Sequence, residues 1–207
     1  MASERTIARL SLYRRLLTQL AGERVTHTFS HELAKAAGCT AAQVRRDLLA
    51  VGFTGSTRHG YSVSGLRDSI GAFLDRGEST ALVLLGVGNL GRALLAYFSG
   101  RHANLSVVAA FDVNPGRTNR VIQGCRCYDV RELSRIVGQH HARVGILAVP
   151  AREAQGAADS LIEVGITGIL NFAPAVLSVP AGVFVEQIDL SVSLEKVVYF
   201  SRDHQHE

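Results

Sequence analysis

Apolar residues recur at spacings of three and four near the start of the chain: Ile7, Leu10, Tyr13, Leu17 and Leu20, with arginines between them. That rhythm predicts an amphipathic helix over residues 4–20, closed by Gly22. Ser30 is placed to cap a short second helix over 31–37, with Leu33, Ala34 and Ala37 on one face and Gly38 at its stop. Thr40 and Gln43 make a capping-box pattern ahead of a third helix, 41–51, which buries Val44, Leu48 and Leu49 and stops at Gly52. Residues 53–63 alternate poorly, contain Gly55 and Gly60, and end in Tyr61, Ser62 and Val63, which suits a small β-hairpin. Ser64 then caps a fourth helix carrying Leu66, Ile70, Phe73 and Leu74, and Gly77 closes it.

From Thr80 the rhythm changes. Short β-rich runs at 81–85, 106–111, 125–128, 144–149, 168–172 and 183–186 alternate with helical stretches, the pattern of a parallel sheet covered on both faces. A last helix, 190–201, carries Leu190, Val192, Leu194, Val197, Val198, Tyr199 and Phe200. A helix apolar on most sides must be buried, against its own chain or against another. The expected class is α/β: a winged helix-turn-helix domain over 1–77, a Rossmann-type domain over 78–189, and a C-terminal helix and tail over 190–207.

Charge divides along the same line. Residues 1–77 hold 11 basic and 6 acidic side chains, and 78–207 hold 11 and 12, so a polyanionic partner is expected for the first domain alone. Arg5, Arg9, Arg14 and Arg15 interrupt the apolar positions of the first helix, which argues against an export signal. The longest apolar run, around residues 81–85, is far short of the roughly 20 residues a bilayer requires. Three cysteines, Cys39, Cys125 and Cys127, form no disulfide framework and suit a reducing compartment. The pair at 125 and 127 could bind metal or sense oxidants, but reads more simply as buried strand residues. No metal site is expected.

The chemistry-bearing motif is Gly86-Val87-Gly88-Asn89-Leu90-Gly91, set directly after a strand and before a helix. In that setting the first glycine allows a tight turn, the second admits a pyrophosphate to the backbone, and the third lets helix and strand pack closely. The helix N-terminus offers free N–H groups to the phosphates. Asp112, with Val113 after it, ends the next strand about 20 residues on, where a carboxylate accepts the adenine ribose hydroxyls and disfavours a 2′-phosphate. Arg117 could cover the adenine, accept such a phosphate, or stay solvated. Val149 with Pro150 and Asn171 with Phe172, at later strand ends, are expected to wall the nicotinamide half.

In the first domain Gln43, Arg45 and Arg46 stand on the exposed side of the third helix, where they could reach base edges and phosphates in a major groove. Arg58 of the wing and Arg9 are placed with them as DNA contacts. An arginine-rich solvated face is the plainer account of those side chains taken singly. The cofactor site lacks the substrate domain and acid or base of a dehydrogenase, and His140 and His141 are expected in a loop before a strand. The expectation is therefore a DNA-binding sensor of NAD(H) and no enzyme. A small NAD-dependent oxidoreductase and a CoA-binding domain are the alternatives, the latter making poorer use of Asp112.

Several motifs in one order carry a resemblance: residues 43–48 in the third helix, 60–63 after the wing, 86–94, 110–113, 149–151 with Ala154 and Gln155, and 171–174. In these the chain resembles the Rex family of bacterial redox-sensing transcriptional repressors. The resemblance implies a cytoplasmic homodimer that binds a palindromic operator in double-stranded DNA, represses genes of respiration or fermentation, takes NADH and NAD+ as ligands, and releases DNA when NADH rises. It implies a C-terminal helix exchanged between subunits. By position, Arg15, Tyr97 and Asp189 resemble the family's residues that rearrange between the DNA-bound and NADH-bound states. The wing departs from the family's Lys-Arg-Gly stretch: Ser56, Thr57, Arg58 and His59 stand there, so its phosphate contacts are expected to be weaker.

Overall fold

In the computed structural model, which describes residues 2–56, 58–75, 79–100 and 104–203, Ser3 opens the first helix by accepting from the Thr6 N–H. The chain divides into two units, Met1–Glu78 and Ser79–Glu207. The expected boundary at 77/78, the stop at Gly77, Thr57 of the wing and the end of the tail lie outside the described residues.

The first unit contains α1 (Glu4–Gly22), β1 (His27–Thr28), α2 (Ser30–Ala37), α3 (Ala41–Ala50), β2 (Tyr61–Ser62) and α4 (Val63–Asp75). Its core is Leu10, Tyr13, Leu17, Leu33, Val44, Leu48, Leu66 and Ile70, drawn from all four helices. Ile7 stays partly exposed at the edge of the α1 stripe.

Local chemistry departs from expectation at four points. Ser30 is inside α2, and Phe29 takes the N-cap position. The free donors there are met by Glu32, whose Oε2 accepts from the Phe29 N–H at 2.8 Å and from Thr28 Oγ1 at 2.9 Å. These bonds hold the Glu32 carboxyl below the usual range. Likewise Ser64 is helical, and Ser62 Oγ accepts from the Gly65 N–H in its stead. The wing is a smaller hairpin than residues 53–63 suggest: β2 pairs antiparallel with β1, outside that range, and among the described residues a single antiparallel bridge, Ser56 to Gly60, closes the loop. Finally, Leu49 is exposed, and Asp47 takes a buried place beside Val44 and Leu48.

The second unit is built on a seven-stranded sheet. Its strands are β3 (Thr80–Leu85), β4 (Leu105–Asp112), β5 (Arg120–Ile122), β6 (Cys125–Asp129), β7 (Val144–Leu147), β8 (Gly168–Asn171) and β9 (Phe184–Gln187). The spatial order is β5-β6-β4-β3-β7-β8-β9, with every pair parallel except β5 with β6. Without β5 this is the doubly wound order in which the connection reverses direction between β3 and β7, leaving a crevice at their carboxyl ends. β5 is the strand of this unit that the pattern missed: three residues, largely exposed, joined to β6 by Gln123 and Gly124, both at positive φ. A two-residue turn of that kind matches the twist of a hairpin.

Helices α5 (Asn89–Phe98), α6 (Leu133–His140) and α7 (Ala151–Glu163) cover the sheet. Val83 and Leu85 face one core with Phe111, Ile136, Leu147 and Leu161, while Leu82 and Leu84 face another with Leu94, Leu95 and Ile146. Cys125 and Cys127 belong to the second core, and burial pushes both thiols up to about 11. The final helix, α8 (Leu190–Asp203), packs differently: each of its seven large apolar residues is exposed, from Val198 at 41% to Val197 and Tyr199 at 65%. Burial within its own chain is thereby overturned. No helix among the described residues is long and apolar enough to cross a membrane.

Candidate functional site

At the carboxyl end of β3 the chain turns at Gly86, where φ is +94° and a Cβ would stand 2.4 Å from the Ala148 carbonyl oxygen. Only glycine fits. Gly91 is bound as tightly: a Cβ there would lie 1.9 Å from the Gly86 carbonyl oxygen, so the first turn of α5 can press on the strand end only without a side chain. Gly88 differs, since a Cβ would meet no atom within 4 Å. It is the N-cap of α5 without any side-chain cap, and it borders the cleft. The first-turn N–H groups of a helix left uncapped in this way form a phosphate seat.

The cleft has a volume of about 890 Å³ and runs from the end of β4, past this loop, to the first turns of α7. Asp112 is its fixed charge. One carboxylate oxygen accepts from the Val87 N–H at 2.8 Å and from Arg117 Nη1 at 3.2 Å, and the other accepts from the Asn114 N–H at 2.8 Å. Burial acts against ionisation, but the two backbone donors and the guanidinium outweigh it and hold the carboxyl below its usual range. Its oxygens can accept further bonds, since a carboxylate offers about four lone-pair directions.

Of the residues expected at a cofactor, Gly86, Gly88, Asn89, Leu90, Asp112, Val113, Arg117, Val149, Pro150 and Phe172 line this cleft. Val87, Gly91 and Asn171 do not. Val87 is buried in the core, and its contribution is the N–H that fixes Asp112. Asn171 is fully buried as a brace: its amide donates to the Ala175 carbonyl and to Gln187 Oε1, and its oxygen accepts from the Ala173 N–H. Together with Gln187, which donates to the Ala173 carbonyl, it shapes the loop that presents Phe172 and Pro174. Sequence reasoning missed the α7 wall, Arg152, Glu153, Gly156 and Ser160. Their spacing of three and four along a helix that starts at a strand end was the signal for it.

Among the described residues no His, Cys, Tyr or Lys lines the cleft, and no group of three or more side chains could hold a metal ion. His140 and His141 stand exposed at the end of α6.

In the first unit Thr40 and Gln43 cap α3 reciprocally, as expected. Arg45 and Arg46 are exposed on that helix, Arg45 touching Ser30 Oγ at 3.2 Å. Arg58 is exposed in the turn bridged by Ser56 and Gly60. Arg9 is placed elsewhere: its guanidinium grips Asp47 through two bonds of 2.7 Å, so it serves the helix interface and not an open surface. Tyr13 donates to the same carboxylate at 3.1 Å and lies 3.4 Å from Cys39 Sγ, and burial pushes its hydroxyl far up. Of the remaining expected residues, Arg15 is exposed on α1, Tyr97 is half exposed on α5, and Asp189 caps α8 by accepting from the Ser191 and Val192 N–H groups.

Comparison with known proteins matches both units. A family model described as a CoA binding domain covers residues 77–175, and one described as a putative DNA-binding protein N-terminus covers residues 2–48. The redox-sensing transcriptional repressor Rex of Listeria monocytogenes serovar 1/2a is 40% identical over 199 residues, 96% of this chain and 93% of that protein. Rex of Lactobacillus acidophilus is 37% identical over 94% of this chain and 92% of its own length. Among solved structures, RSP, a Rex-family repressor, in complex with β-NAD+ and operator DNA superposes with a TM-score of 0.90 at 33% identity, covering 99% of this chain and 94% of that one. RSP in complex with β-NADH gives 0.87 at the same identity, covering 99% and 96%.

Proposed function

The chain belongs to the Rex family of redox-sensing transcriptional repressors, and on that premise we propose that it holds a palindromic operator as a homodimer and releases it when NADH occupies the cleft of the second unit. The observation that carries this reading is the pairing, in one chain, of a glycine-bordered cleft around a buried, ionised Asp112 with a capped helix that exposes Arg45 and Arg46. It acts in the cytoplasm, where operator DNA and pyridine nucleotides are both present.

The residues fit a dinucleotide. Gly88 and the start of α5 would seat the pyrophosphate, Asp112 would accept the ribose hydroxyls, Val113 offers apolar surface to the adenine side, and Val149 and Pro150 offer it to the nicotinamide half. Phe172 and Pro174 extend that surface. The dinucleotide supplies the signal through its nicotinamide ring, which is cationic when oxidised and neutral when reduced. An apolar dimer pocket desolvates the neutral form at less cost, so NADH is favoured. By linkage, a ligand that prefers the DNA-free arrangement lowers operator affinity. The exposed apolar face of α8 supports dimerisation through that helix, and its exchange between subunits would give the face a partner.

CoA, the ligand in the name of one matching family model, suits the cleft less well. Its ribose carries a phosphate, and the anionic Asp112 stands where that ribose would sit. Calorimetric titration with NADH, NAD+, NADPH and CoA tests the assignment. NADH is expected to bind tightest and Asp112→Ala to weaken it by at least tenfold. Equal affinity for NADH and NAD+ would overturn the sensing mechanism, and tighter binding of CoA would overturn the nucleotide assignment.

A further inference from the structure

The exposed face of α3 differs in one respect from the reading surface its arginines suggest. Ala42, Arg45, Arg46 and Leu49 follow one another at i, i+3, i+4 and i+7, and all are exposed. Val44, Asp47 and Leu48 lie buried on the other side. At 100° per residue Leu49 falls between the two arginines in azimuth, one turn further along, so it points directly away from the core. It is 64% exposed.

Gln43, by contrast, is committed. Glutamine reads adenine by using its amide oxygen and nitrogen together. Here the oxygen accepts from the Thr40 N–H at 3.0 Å and from Thr40 Oγ1 at 3.2 Å. Turning it toward a base would uncap the helix that carries the reading face.

We propose that Leu49 is a base-reading residue, packing its side chain on the 5-methyl group of a thymine beside the bases met by Arg45 and Arg46, while Gln43 remains a helix cap. This rests on the reading of α3 as a major-groove helix. The thymine methyl is the one apolar feature of the major groove, so it is the natural partner of a solvent-facing leucine between two cations. A cytosine in its place lacks the methyl group, so the leucine would lose its apolar contact there.

The test uses the full-length protein and the duplex it selects from a random-sequence pool, remade with single thymines replaced by deoxyuridine. Loss of one buried methyl is expected to weaken wild-type binding about three- to fivefold at one or two thymines per half-site. Leu49→Ala, an exposed change that helices accept well, is expected to bind the thymine duplex about as weakly as wild type binds the uridine one. It is expected to be indifferent to the replacement. A uridine scan that is flat for wild type, or the same sensitivity in Leu49→Ala, overturns the role of Leu49 and leaves operator binding standing. Failure of the pool to yield any preferred duplex overturns the DNA-reading function and this inference with it.

Discussion

Arg9 and Asp47 meet in a two-bonded ion pair, Nε to Oδ2 and Nη2 to Oδ1, each at 2.7 Å, that ties α3 to α1. The carboxylate is 5% exposed and the guanidinium 24%, with Tyr13 donating to the same oxygen, Oδ2. The pair therefore sets how α3 sits on the rest of its unit.

Breaking that pair leaves a nearly buried charge behind. Asp47→Ala is expected to destabilise the first unit by about 2–3 kcal/mol, less than for a wholly buried pair because Arg9 keeps some water. Arg9→Met should cost a similar amount, and the double change Arg9→Met with Asp47→Leu less than the two together. Urea denaturation measures all three. If Arg9→Met weakened DNA binding with no loss of stability, Arg9 would be a DNA contact after all.

Asp112 makes stability depend on pH in a definite direction. Its folded pKa lies below the ordinary value, so its contribution is fully present above about pH 4 and is lost as pH falls through the folded value. Asp112→Asn cannot ionise and is expected to be less stable than wild type by about 1–2 kcal/mol at pH 7, a gap that narrows as pH falls below 4. Thermal melts across pH 3–7 check it, and a gap unchanged throughout would show that the charge is unimportant.

Gly91→Ala puts a methyl group where the Gly86 carbonyl oxygen stands. Backbone must move, and a loss of more than about 3 kcal/mol in the second unit is expected, with nucleotide binding abolished. Differential scanning calorimetry should show the transition of the second unit shifted and that of the first nearly unchanged.

Removing residues 190–207 deletes the exposed apolar helix. The truncated protein is expected to sediment as a monomer and to lose operator affinity by at least tenfold, since one reading head would replace the two of the proposed dimer. A dimer of the truncated chain would place the interface elsewhere.

The elements legible in the sequence were those whose side chains repeat: the α1 stripe, the buried strands 80–85 and 105–112, and the glycine loop between strand and helix. Short elements held by backbone pairing were not, because β1 and β5 span only two and three residues and carry no alternating pattern. Adjacent Leu48 and Leu49 both read as core, yet successive residues on a helix diverge by 100° and only one can face inward. The misplacements of Arg9 and Asn171 share a cause. Each is a polar residue whose partner, Asp47 or Gln187, is distant in sequence, and a hydrogen bond between them exists only once the chain has folded.

The most direct test of the redox-coupled release is fluorescence anisotropy of the selected operator duplex on the full-length protein, with NADH and NAD+ titrated in separate series. NADH is expected to release the DNA at concentrations where NAD+ leaves it bound. Retention of the duplex at equal strength under saturating NADH would contradict the account.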